Sequence, residues 1–270
     1  MKSVLVTGSS GFIGKHLVEY LMRRGIEVSL YDTKTHTSVP NLTGVDAIIH
    51  LGANSDTRET NIPKIVEQNF LKSCLFFEAA KGLGIKFLYA SSASVYGDSK
   101  TFTEEEFCSP KNPYAMSKYM FDLWVNTQKY PYQGFRFFNV FGSGEEEEGK
   151  GDQASPFYKF TKQALKKEPI RIFRGSEMIF RDFVHVSDVC EILFQSLSSD
   201  FTGIVNVGTG KPISFSKIAD KIAKTHKSKV QTIPFPKDLK KGYQKFTCSD
   251  NSKFNSIFEG FEFKNPLEIS

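Results

Sequence analysis

The chain has 270 residues, with 35 Lys and Arg against 30 Asp and Glu, for a formal net charge of +5. Hydrophobic residues make up 40% and charged residues 24%, which excludes a disordered chain and leaves ample material for a packed core in one large or two modest domains. The basic residues are spread along the sequence, so nucleic acid is not an expected partner. The densest cluster, Lys237 to Lys245, also carries Asp238 and Tyr243 and reads as solvated surface.

In chain order, Ser3 to Thr7 reads as a strand, with Val4 to Val6 at its centre. A helical pattern follows, carrying Ile13, Leu17 and Leu21 on one face. Val28 to Tyr31 is a second strand and Ala47 to Leu51 a third. Pro63 opens a long helical stretch ending near Gly82 and Gly84, with Pro at the start and Gly past the end. Phe87 to Ala90 is a strand, Asn112-Pro113 caps and opens a helix to about Gln128, and Phe135 to Phe141 is another strand. Such β-α alternation predicts an α/β, Rossmann-type, doubly wound parallel sheet with helices on both faces. Beyond it, Glu145 to Glu148 reads as a solvated acidic loop. A helix from about Pro156 and a strand from Ile170 to Phe173 follow. Phe183 to Val186 then leads into a helix at Ser187, Ile204 to Val207 is a further strand, and the rest is irregular with two short helices. The 26 Phe against one Trp point to a Phe-rich core.

Cys74, Cys108, Cys190 and Cys248 are irregularly spaced, with neither a C-x-x-C nor a Cys/His ligand pattern. Free thiols, no metal and a reduced intracellular setting are the expectation. No signal-like segment opens the sequence and no apolar run is long enough to span a bilayer. A soluble cytoplasmic protein without a membrane partner is therefore expected.

The first chemical motif is Gly8-Ser9-Ser10-Gly11-Phe12-Ile13-Gly14, lying between the first strand and the first helix. Glycines at such a turn let the backbone approach a pyrophosphate, which the helix N-terminus then faces. Asp32 ends the second strand eighteen residues past Gly14, close to the spacing of about twenty for a ribose-binding acid. Gly8, Ser10, Gly11, Phe12, Ile13, Gly14 and Asp32 are thus candidate cofactor residues. NAD and NADP both remain open, since Asp32 suits a free ribose 2′-hydroxyl whereas Lys34 suits a 2′-phosphate. Tyr114 and Lys118 lie four apart, on one helix face, where the ammonium is expected to lower the Tyr114 pKa. Ser92 ends a strand twenty-two residues earlier.

Together, Thr7-Gly8-x-x-Gly11-x-x-Gly14, Ser91-Ser92-Ala93-Ser94-Val95-Tyr96-Gly97 and Tyr114-x-x-x-Lys118 resemble the extended short-chain dehydrogenases that act on nucleotide sugars. The resemblance implies that Ser92 holds the substrate oxygen, that Tyr114 moves the proton and that Lys118 binds the nicotinamide ribose. It further implies cofactor contacts from Leu51, Gly52, Ala53, Ser55 and Asn69. Within that group, Phe135 to Gly142, Phe173 to Glu177, Arg181 to Val184, Gly208-Thr209-Gly210, Ile233 to Pro236 and Gly242 to Thr247 resemble the ADP-glycero-manno-heptose 6-epimerases. From this come substrate contacts at Asn139, Phe173, Ser176, Arg181 and Tyr243, and Lys150 as a second catalytic base. Lys150 also reads as a plain loop lysine, and Asp152 beside it and Arg174 depart from the family's usual residues.

The expected domains are residues 1–142 with 178–209 for the dinucleotide, and 143–177 with 210–270 for a nucleotide-sugar substrate. A homo-oligomer is the expected assembly. The competing readings are a nucleotide-sugar 4-epimerase or reductase of the same family and, from another class, a cofactor-binding sensor. A 4,6-dehydratase is disfavoured because Ala93-Ser94 stand where that chemistry needs an Asp-Glu pair. Seventeen residues separate Asp32 from His50, too few for the usual crossover helix and a further strand. That strand is expected to be missing, with the second strand at the sheet edge and the adenine side open. The sequence stops at Leu267 to Ser270, where the family would enter a last helix.

Overall fold

The computed structural model describes residues 1–34, 40–145, 153–236 and 244–269. The chain divides into two compact units. The first comprises Met1–Gly97, Phe107–Phe137 and Val189–Val205, and the second Asp98–Glu106, Phe138–Asp188 and Asn206–Ser270.

The first unit is built on a sheet of β1 (Ser3–Thr7), β2 (Glu27–Tyr31), β3 (Ala47–His50), β4 (Lys86–Ser92), β5 (Gln133–Phe137) and the start of β10 (Gly203–Val207), in the order β10-β5-β4-β3-β1-β2. The β2–β1, β1–β3, β3–β4 and β4–β5 pairs are all parallel. Val4, Leu5, Val6, Ala47, Ile48 and Ile49 are fully buried, as expected of a sheet covered on both faces. Aromatic rings fill the space beneath it. Phe77 meets Phe87 edge-on at 5.4 Å and Tyr89 meets Phe121 at 4.8 Å, which accounts for the Phe-rich composition.

α1 (Phe12–Met22) follows β1. α2 (Ile62–Ile65), a π-helical turn (Val66–Leu71) and α3 (Lys72–Leu83) form one continuous helical stretch. Asn61 caps its start by accepting from the Lys64 amide, and Gly84 ends it in the left-handed conformation. α4 (Pro113–Asn126) begins as expected, with Asn112 Oδ1 accepting from Ala115 N at 2.8 Å. β2 lies at the sheet edge, and among the described residues between 33 and 45 there is no strand.

Two expectations are corrected. Phe135 to Phe141 is not one strand: β5 ends at Phe137, and β6 (Asn139–Phe141) belongs to the second unit, where it pairs parallel with β9 (Phe183–His185). The break falls at Phe138, whose amide donates to Val207 O, while the Asn139 amide donates to Asp182 O. Glu145 is also not solvated. It is 2% exposed and accepts from Gly142 N, Ser155 N and Ser155 Oγ, fixing the start of α5 (Pro156–Leu165). Glu146 to Glu148 lie outside the described residues, as does the Lys237 cluster up to Tyr243.

The second unit also holds β7 (Ile170–Phe173), β8 (Phe180–Arg181), β11 (Ile213–Ser214), α7 (Phe215–His226), β12 (Val230–Ile233) and α8 (Ser252–Ile257). The stretch after Val207 is therefore more regular than its sequence suggests: α7 runs twelve residues and β12 pairs with β7. α6 (Val186–Ser196) starts in the second unit, where His185 Nδ1 accepts from the Ser187 amide and caps its first turn. All four cysteines are free. No described helix is long and apolar enough to cross a membrane.

Candidate active site and cofactor cradle

The glycine turn is shaped by contacts that admit no side chain. A Cβ on Gly8, which sits at φ +68°, would lie 2.7 Å from Gly52 N. One on Gly14 would lie 2.0 Å from Gly8 O. These two glycines press the first strand, the first helix and the Leu51–Ser55 loop together. Gly11 is the N-cap of α1 without a side-chain cap, and no acid sits in the first turn. First-turn amides have no intrahelical acceptor, so this terminus suits an anion. Ser10 stands before it, and Phe12 and Ile13 form its first turn.

Asp32 is buried at the end of β2, with its carboxylate accepting from Ser10 Oγ at 2.6 Å and from Lys34 N at 2.9 Å. Burial pulls its pKa up, but these hydrogen bonds outweigh it and leave the carboxyl below its usual value, ionised at neutral pH. Glycine turn, open helix terminus and ionised acid together fit a dinucleotide. On the far side of the loop, Asn69 is fully buried in the π-helical turn. Its side chain exchanges hydrogen bonds with the Asn54 backbone in both directions and donates to Ser117 Oγ at 3.0 Å. Such π-turns inside helices are frequent at functional sites. Ala53 and Ser55 are exposed on this loop, and Leu51 is half-buried.

The catalytic candidates meet at the end of β4. The Tyr114 phenol lies beside the Ser92 hydroxyl, which holds its pKa down against the rise that burial causes. Ser92 Oγ itself accepts from Ser94 N at 3.2 Å and from Ser94 Oγ at 2.9 Å. With both lone pairs engaged, its one proton is left to donate to Tyr114 or to a bound substrate oxygen. Ser94 is a functional candidate that sequence reasoning passed over. Its signal was the Ser-x-Ser spacing, in which a serine hydroxyl binds the backbone two residues on.

Lys118 is 5% exposed, with Nζ donating to Ala90 O at 2.8 Å. Burial pushes its pKa down to about 8, against a pull upward from the Asp122 carboxylate. Asp122 is in turn held by Arg136 Nε at 3.1 Å, Tyr89 Oη and Ser91 Oγ. The expected lowering of the Tyr114 pKa by Lys118 is not seen. Burial raises it, and Ser92, not Lys118, opposes the rise, because the ammonium is directed at the Ala90 carbonyl.

In the second unit, Asn139 is exposed at the start of β6, and Phe173 packs on Phe235 at 5.0 Å. Ser176 is buried and donates to Phe173 O. Arg181 donates to Phe180 O and to Gln244 O. Beneath Arg181, the buried Asp182 carboxylate accepts from Thr209 N, Thr209 Oγ1, Gly210 N and Ser249 N, which ties the Arg181–Val184 and Gly208–Gly210 motifs together. Lys150 and Tyr243 lie outside the described residues. Among the described residues, no group of three or more His, Cys, Asp or Glu side chains is placed to hold a metal ion.

Many solved structures share the fold, three of them as follows. ADP-L-glycero-D-manno-heptose-6-epimerase from Helicobacter pylori is 23% identical with a TM-score of 0.85, over 99% of this chain and 93% of that one, a likeness in fold alone. UDP-N-acetylglucosamine 4-epimerase from Methanobrevibacter ruminantium is 25% identical with a TM-score of 0.85, over 99% of this chain and 94% of that one. UDP-glucose 4-epimerase from Thermus thermophilus, solved with NAD, is 26% identical with a TM-score of 0.79, over 94% of this chain and 92% of that one. The profile of the NAD-dependent epimerase/dehydratase family matches residues 4–208, and the chain belongs to that family.

Proposed function

We propose that the protein inverts a secondary carbinol of a nucleotide-activated sugar through a transient ketone. The observation that carries the reading is Ser92, held by Ser94 and set beside Tyr114, which shares a helix face with Lys118. A nicotinamide dinucleotide, when bound, would supply a hydride acceptor and donor. Gly8, Gly11 and Gly14 admit its pyrophosphate to the α1 terminus, and the ionised Asp32 favours a ribose with a free 2′-hydroxyl, hence NAD over NADP. Tyr114 takes the proton from the sugar hydroxyl and gives it back, while Ser92 donates a hydrogen bond to the oxygen as it becomes a carbonyl. Lys118 stays mainly protonated at neutral pH and, held by Ala90 O, would offer its remaining protons to the nicotinamide ribose. Ala93-Ser94 in place of an acid pair argues against dehydration.

For the sugar, we propose conversion of ADP-D-glycero-D-manno-heptose to its L-glycero epimer. The support is the run of second-half motifs shared with the heptose 6-epimerases. Lys150 would act as the second base, and Asn139, Phe173, Ser176, Arg181 and Tyr243 would contact the substrate. A second reading, 4-epimerisation of a UDP-sugar, is favoured by the identities of 25 and 26% to UDP-sugar 4-epimerases. Incubation with each heptose epimer, UDP-glucose and UDP-N-acetylglucosamine, followed by NMR, separates the two. Inversion at C6 of the heptose is expected, inversion at C4 of a UDP-sugar alone would select the second reading, and inversion of none by the NAD-loaded protein would reject both.

A further inference from the structure

Beside the site lies a buried titratable side chain for which this chemistry has no use. His50 ends β3 at 3% exposure, with its ring centroid 5.1 Å from that of Phe76 and 6.3 Å from that of Phe87. Burial, reinforced by the positive charge of Lys118, pulls its pKa down to about 3. The ring is therefore neutral and carries one proton. Its neighbours decide which nitrogen holds it. Ser73 Oγ donates its only proton to Asn69 O, so it accepts from His50 Nε2, 2.9 Å away. Nδ1 is then an acceptor, and the Thr7 hydroxyl, 2.6 Å away, donates to it. Thr7 Oγ1 accepts in turn from Gly52 N at 3.1 Å.

Each bond in this series has one possible direction. At one end is Gly52, packed against Gly8 of the glycine turn. At the other is Asn69, whose side chain grips Asn54 and reaches Ser117, the residue before Lys118.

We propose that His50 is a positioning residue, an Nε2-protonated bridge that locks the glycine turn and the Leu51–Ser55 loop to the helix carrying Tyr114 and Lys118. The proposal rests on reading those elements as the dinucleotide site. Its first test is nitrogen-15 NMR of the imidazole in the full chain. A single tautomer with Nε2 protonated is expected, and an Nδ1-protonated or mixed ring would overturn the proposal.

The second test is NAD affinity by calorimetry. His50→Leu and Thr7→Val each weaken binding about tenfold, a shift of about 1.4 kcal/mol, and Thr7→Ser restores it. Variants that lose thermal stability yet bind NAD like the wild type would reduce His50 to a packing residue and overturn the proposal. If His50→Leu does not fold, the Thr7 pair decides. Amide hydrogen exchange reads the lock without cofactor: exchange at Asn54 rises in Thr7→Val and returns to the wild-type rate in Thr7→Ser. Unchanged exchange at Asn54 would overturn the proposal, whereas a wild-type chain with this lock but no affinity for NAD would count against the cofactor reading alone.

Discussion

Lys118 carries its charge where burial makes charge costly. Its folded pKa of about 8 lies below the ordinary lysine value of 10.5, so the unfolded chain binds this proton more tightly. Stability therefore rises with pH between those two values, and below about 8 the burial penalty is present in full. Lys118→Met removes the penalty at the loss of one hydrogen bond to Ala90 O. We expect it to stabilise the protein at pH 7 by about 1–2 kcal/mol, to lose that advantage as the pH approaches 10.5, and to abolish turnover. Denaturant titrations at both pH values check this, and a variant less stable than wild type at pH 7 would refute it. Asp32 supports a second prediction. Its ionised carboxylate should make NAD bind at least about tenfold more tightly than NADP, and Asp32→Ala should narrow the gap. Calorimetry showing equal affinities in the wild type would remove the assigned role. The shared helix face of Tyr114 and Lys118 was legible in the sequence because a spacing of four defines it. Ser94 and the direction of the Tyr114 shift were not, because each depends on which lone pair or carbonyl a neighbour occupies.

Elements written in local pattern were legible in the same way. β1, α1 and the capped start of α4 follow from periodicity and Asn-Pro. The break at Phe138 was hidden because Phe135 to Phe141 is a continuous strand-like run, and its division depends on Val207 and Asp182, distant in sequence. Glu145 was misread for a related reason: four consecutive acids look solvated until Ser155 supplies two donors to the first. Lys86 is a further long-range device. From the start of β4 its ammonium donates to Ser196 O, Leu197 O and Ser199 O, satisfying carbonyls at the end of α6. Lys86→Met should destabilise the fold by about 1–2 kcal/mol and leave NAD affinity unchanged. A variant of wild-type stability would show that water serves those carbonyls equally well.

At the scale of the whole molecule, the chain passes several times between its two units, and the passage after Phe137 comes directly after the strand that completes the described β4–β5 pairing. The first unit holds the glycine turn, Asp32, Asn69 and the Ser92–Tyr114–Lys118 group. The second contributes its own framework around Asp182, which gathers two separated motifs onto one carboxylate. The proposed reaction is inversion by hydride removal and return, with Tyr114 as the proton carrier. No carbon-bound proton is then exchanged with solvent. The direct measurement is to run the epimerisation of the ADP-heptose in heavy water and examine the inverted carbon of the product by NMR. Inversion with no deuterium at that carbon is expected, and deuterium found there would rule out hydride return.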